Sequence, residues 1–163
     1  MNRIKTFLKE LEAESVITRK MLGRIPTDKF DWQPHPKSMT IKTLGIHIAE
    51  LPSWITMTLT TKELDFSISP YQPEDLKTTK ELLAHFEKSL ADGRSHLTEN
   101  YEEVLDQIWT LRDGAQIFTA EPKADIIRMT LNQIVHHRAQ LGVYLRLLNI
   151  PVPASYGPSA DEH

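Results

Sequence analysis

From Pro122 to Leu148 apolar residues recur at helical spacings of three, four or seven positions, through Ile127, Leu131, Ile134, Leu141, Leu145 and Leu148. Side chains at that spacing share one face of an α-helix. A helix this long with one apolar stripe needs other helices to bury it against, so the run predicts a bundle. A second row, Ile126, Thr130, Gln133, His137, Gln140 and Tyr144, lies alongside the first. It sets an imidazole and two amides next to the buried stripe, where polar groups are costly unless something satisfies them.

Three more segments read as helices. The first spans about Asn2 to Leu22, with Ile4, Phe7, Leu8, Leu11, Ser15, Thr18 and Leu22 on one face, Asn2 as cap and Gly23 as stop. A loop with three prolines, Pro26 to Lys37, follows; in it Trp32 is expected to lie across one end of the bundle. The second helix starts near Ser38 or Thr40 and buries Ile41, Leu44, Ile48, Leu51 and Ile55. Pro52 should bend or interrupt it, because the ring removes a backbone donor and crowds the preceding turn. Asp65 to Asp75, with two prolines and little periodicity, reads as a loop. The third helix opens at Thr78-Thr79-Lys80-Glu81, where Thr78 and Glu81 are spaced to satisfy each other's amides. Leu82, Phe86, Leu90 and Leu97 mark its buried face. Asp113-Gly114, between the β-prone runs Trp109–Arg112 and Ala115–Phe118, predicts a short hairpin. The fourth helix starts around Pro122, a favourable first-turn residue. The expectation is an all-α, single-domain four-helix bundle over residues 1–163, with long connecting loops and that hairpin before the last helix.

Several function classes are excluded early. A net charge of −3 leaves no basic excess to neutralise phosphates, so a general nucleic-acid binder is not expected. With no cysteine, disulfides, thiolate ligands and cysteine nucleophiles are absent. No apolar run approaches the roughly 20 residues that span a bilayer. The first residues lead straight into a charged amphipathic pattern instead of a signal peptide's apolar core, so a cytoplasmic location is expected. Gly-rich phosphate loops, Gly-x-Ser-x-Gly and His-Glu-x-x-His are all missing.

What remains is the histidine pattern. Gln133 and His137, four apart, project together, while His136 points about 100° away from His137. His47 borders the apolar face of the second helix among Leu44, Ile48 and Leu51. Bundles build metal sites from inward side chains on facing helices, and imidazole suits zinc, nickel, copper or iron. Spacing alone equally allows His47 and His137 to be core histidines bonded to glutamine or backbone. Glu50, one turn after His47, is the candidate catalytic proton acceptor. Arg138 is placed either as a clamp for an acidic group or, more simply, in an interhelical salt bridge. His35 reads as loop surface, His85 and His96 as exposed helical pairs with Glu81 and Asp92, and His163 as the chain end.

Taken together, Ile25-Pro26, Trp32-Gln33-Pro34-His35-Pro36, Ser38-Met39-Thr40 leading to His47, His137-Arg138-Ala139-Gln140-Leu141 and the closing Val152-Pro153-Ala154-Ser155-Tyr156-Gly157 resemble the DinB-like (YfiT-like) superfamily. These are four-helix, metal-binding proteins that include bacillithiol- and mycothiol-dependent transferases. The resemblance implies a divalent metal, zinc or nickel, held by a histidine on the second helix and two on the fourth. Carried over, the ligands fall on His47, Gln133 and His137, with His136 as the alternative to Gln133. Glutamine at the middle position departs from the pattern, since an amide oxygen is a weaker donor than imidazole. The implied functions are a metal-dependent hydrolase or low-molecular-weight-thiol S-transferase on a small-molecule substrate, or a binding or stress-associated module whose metal site has degenerated. A homodimer is implied by the same resemblance.

Overall fold

In the computed structural model, which describes residues 2–162, four long helices form the body of the chain. Met1 and the terminal His163 lie outside the described residues. The helices are α1 (Arg3–Leu22), α2 (Ile41–Thr60), α3 (Thr79–His96) and α4 (Lys123–Leu147). Single turns of 3-10 helix occur at Thr27–Lys29 and, somewhat longer, at Glu99–Val104. α2 packs chiefly on α3 and α4, and α1 on α4 and α3, so α1 and α2 sit diagonally across the bundle. The core is continuous, and Leu44, Ile48, Phe86, Leu90, Leu131, Ile134, Leu141 and Leu145, all expected inside, are buried.

The helix starts follow their capping chemistry. Asn2 accepts from the Lys5 amide at 2.9 Å, and Thr40 from the Thr43 amide at 3.1 Å. At α3 the expected reciprocal pair is only half formed. Thr78 accepts from Glu81 N at 3.1 Å, but the Glu81 carboxylate reaches one residue further back, to Lys77 N, at 2.7 Å.

Of the two outcomes expected at Pro52, a bend or a break, the break does not occur. Helical geometry continues through Pro52 to Thr60. The reason lies on α3: Ser89 Oγ accepts from Ser53 N at 2.9 Å and donates to the Glu50 carbonyl at 3.0 Å, so polar groups around the proline find partners. Such close approach requires Gly93. A Cβ built there would meet the Pro52 carbonyl oxygen at 2.3 Å.

The chain is mostly helical but not all-α. Strands β1 (Glu63–Asp65), β2 (Ile108–Asp113) and β3 (Gln116–Pro122) form a sheet in that order, β1 parallel and β3 antiparallel to β2. The hairpin about Asp113-Gly114 was expected, and Gly114 takes φ +55° in its turn. β1 was not: the segment beginning at Asp65 read as loop, and three residues are too few to carry a period of two. Asp65 fastens the sheet, its carboxylate accepting from Ser67 N and Gly114 N, each at 2.9 Å. Those bonds, together with Ser67 Oγ, hold the carboxyl below its usual range.

Trp109, fully buried, seats the sheet on the bundle by donating from Nε1 to Thr61 Oγ1 at 2.9 Å. Beside it, buried Lys123 donates to the carbonyls of Leu59 and Thr61 at 2.9 and 2.8 Å, closing the C-terminal end of α2. At the other end Trp32 meets Tyr144 edge-on, ring centroids 5.6 Å apart. No helix among the described residues is long and apolar enough to cross a membrane.

Candidate functional site

Helices α2 and α4 pack directly, and their contact brings His47 and His137 together. The two rings lie 4.6 Å apart between centroids, at 75° to each other. Each ring is held by the residue three positions further along its own helix. His47 Nδ1 is 2.8 Å from Glu50 Oε1, and His137 Nδ1 is 2.8 Å from Gln140 Oε1. An ionised carboxylate can only accept, so Nδ1 of His47 is the donor in this pair, and in the neutral ring the lone pair lies on Nε2. An oxygen of Gln140 facing His137 imposes the same tautomer there, with the amide orientation assigned by the hydrogen-bond network.

The environment differs between the two. Burial, above all, lowers the pKa of His137 below the usual imidazole value; Gln140 opposes this, and neighbouring His47 and His136 add to it. His137 is therefore neutral at neutral pH, with its lone pair available. The His47 side chain is 27% exposed and that of Glu50 15%, so the pair sits in a partly shielded position that solutes can reach.

Gln140 links the site to His136, its Nε2 lying 3.2 Å from His136 Nε2. His136 and His137 rings are 4.8 Å apart, yet His136 is exposed and lines a shallow groove with Met129, Asn132 and Gln133. Gln133 is half-buried, and its amide has no hydrogen-bond partner among the described residues. Among those residues no three His, Asp or Glu side chains are arranged to hold a cation. The donors that do come together are two imidazoles, with Gln133 one turn before His137 on the same helix.

One participant was not anticipated. Tyr71, in the loop between β1 and α3, donates its hydroxyl to Glu50 Oε2 at 3.1 Å. Partial desolvation of the hydroxyl, with the Glu50 charge and hydrogen bond adding to it, pushes the Tyr71 pKa up and keeps the phenol protonated as a donor. A tyrosine between two prolines in an aperiodic stretch carries no signal of such a contact.

Other histidines and Arg138 resolve into structural roles. Arg138 is buried in the interhelical salt bridge, 2.6 Å from Glu14, with Thr18 Oγ1 at 3.1 Å and the Tyr156 hydroxyl at 2.8 Å. With these partners it is not placed to clamp an acidic substrate. His35 is exposed. His85 and His96, expected to be exposed, are half-buried instead. His96 still approaches Asp92, at 3.7 Å, and also Thr56 Oγ1, at 3.1 Å.

The sequence pattern of the DinB family matches residues 1–163, and the chain belongs to that family. It is 22% identical over 160 residues to an uncharacterized protein, YrdA, of Bacillus subtilis (strain 168), covering 96% of this chain and 89% of that one. The fold resembles a DinB-like protein from Bacillus cereus ATCC 10987, with a TM-score of 0.72 at 21% identity over 96% of this chain and all of the other. A mycothiol-dependent maleylpyruvate isomerase is also similar in fold, with a TM-score of 0.58 at 14% identity, covering 85% of this chain and 60% of the isomerase.

Proposed function

We propose that His47 and His137 hold a divalent transition metal, zinc or nickel, and that the protein is a metal-dependent enzyme acting on a small molecule. The observation that carries this is the pair of adjacent imidazoles, each with Nδ1 occupied by an oxygen acceptor and Nε2 left basic. Metal-bound histidines are typically held in this way by an acceptor on the other ring nitrogen. Gln133 is the third contributor, as a weak ligand through its amide oxygen or as a hydrogen-bonding group for substrate. When bound, the cation would lower the pKa of a coordinated water or thiol and polarise a substrate. Glu50 orients His47 by accepting a hydrogen bond from its Nδ1; with both carboxylate oxygens engaged, it acts as a base only if one of those contacts opens.

The preferred reaction class is S-transfer from a low-molecular-weight thiol. The chain supplies no cysteine, so the thiol must arrive with the cosubstrate, and the fold is similar to that of a mycothiol-dependent isomerase. Metal-assisted hydrolysis is the second reading. The glutamine at position 133 favours a third, a small-molecule binding module with a degenerate metal site. A homodimer and a cytoplasmic setting complete the proposal.

Protein purified without a histidine tag should bind about one equivalent of zinc or nickel, and His47→Ala should abolish this. Given metal, it should consume bacillithiol, mycothiol or glutathione in the presence of a model electrophile. Metal binding without thiol consumption would turn the assignment to hydrolysis or binding. No metal binding would overturn it.

A further inference from the structure

The two histidines are held by partners of different chemistry. Gln140 presents one oxygen to His137 and directs its amide nitrogen to His136, so both ends of its side chain are tied down. Glu50 has two equivalent oxygens and a carboxylate that can rotate. Only one oxygen is used by His47; the other is fixed by Tyr71. Glu50 belongs to α2, whereas Tyr71 comes from the loop between β1 and α3 and is half exposed, at 51%. Its ring adds little to the core, and its hydroxyl donates to Glu50.

We propose that Tyr71 is a positioning residue: through Glu50 it holds the His47 imidazole in the tautomer with the proton on Nδ1 and the lone pair on Nε2. The metal consequence rests on the function proposed above; the tautomer does not. Without the phenol, the carboxylate is free to turn away, and His47 is free to exchange its proton between its two nitrogens. A metal ligand must then regain one tautomer and one ring orientation before binding, which weakens affinity. Loss of an orienting partner of a metal-bound histidine typically costs about 10- to 100-fold in affinity. Tyr71 acts one step further out, so a smaller effect, about three- to tenfold, is expected.

Long-range proton–nitrogen correlation spectra of metal-free, histidine-labelled protein at pH 8 read the tautomer directly. In the unmodified chain His47 should show a protonated Nδ1 and an unprotonated Nε2. Tyr71→Phe keeps the ring, removes only the hydroxyl and should leave the melting temperature unchanged. It should nevertheless shift His47 toward a mixture of tautomers and weaken zinc binding by that factor. Glu50→Ala should shift the tautomer further, while the His137 signals stay as they were in both variants. A His47 protonated on Nε2 in the unmodified chain overturns the proposal, as does an unchanged His47 spectrum in Tyr71→Phe. If the tautomer responds as expected but neither chain binds zinc, the positioning role stands and the metal-enzyme reading falls.

Discussion

At position 133 an amide stands where the family resemblance calls for imidazole. Gln133 sits one helical turn before His137, half-buried and with no polar partner among the described residues. Because neutral imidazole is a far better donor than an amide to zinc or nickel, Gln133→His should tighten divalent-metal binding at least about tenfold, equivalent to roughly 1.4 kcal/mol. Isothermal titration measures this, and His47→Ala in the same background should remove the gain. Unchanged affinity in a folded Gln133→His protein would mean that positions 47, 133 and 137 do not converge. The residues of the site were partly legible in advance. His47, Gln133, His137 and Glu50 stood at helical spacing on faces that periodicity identifies. Tyr71 did not, because its contact with Glu50 depends on how a loop folds back, and nothing local encodes that. Lys123 was equally silent: a lysine at a helix start is ordinarily solvent-exposed, and only the packing of α4 against the end of α2 carries its ammonium to two carbonyls.

Elements succeeded where a long period existed and failed where it did not. All four helices appear where three- and four-residue spacing put them, and the hairpin where Asp113-Gly114 marked a turn. β1 was lost because its pairing is with residues far along the chain. Helix α2 continues through Pro52 because the proline is accommodated from α3, by Ser89 and Gly93. That arrangement is testable. Gly93→Ala would drive a methyl against the Pro52 carbonyl, and backbone cannot easily move aside; unfolding by urea should show a loss of about 1–3 kcal/mol, the usual range for overpacking. A neutral substitution would mean that α2 and α3 are not in such close contact. The tail after α4 offers a pH test. Asp161 is held below its ordinary carboxyl pKa of 3.8 chiefly by Arg146 and by the Val152 amide, and Glu162 below 4.5 chiefly by the Ala154 amide. A depressed carboxyl pKa in the folded state contributes stability that is present above the ordinary value and is lost as pH falls through the depressed one. Exchange protection of the Val152 and Ala154 amides should therefore be retained at pH 6 and lost as pH drops below 3.8. Protection unchanged in Asp161→Asn and Glu162→Gln at pH 6 would show that these carboxylates do not secure the tail.

Across the whole molecule, a diagonal arrangement of α1 and α2 leaves α2 free to face α4, and this is what brings two histidines 90 positions apart into edge-to-face contact. The small sheet closes one end of the bundle through Trp109, while the loop that leaves β1 carries Tyr71 over to Glu50. Sequence periodicity could name the faces but not their partners, since which helix meets which is decided by packing of the complete core. If the proposed function is right, the α2–α4 contact forms a divalent-metal site on His47 and His137. Crystals of tag-free protein grown with zinc, with data collected on both sides of the zinc absorption edge, test it most directly. An anomalous peak is expected about 2.0–2.1 Å from Nε2 of both histidines. No zinc between these rings, or zinc bound only elsewhere on the surface, would contradict it.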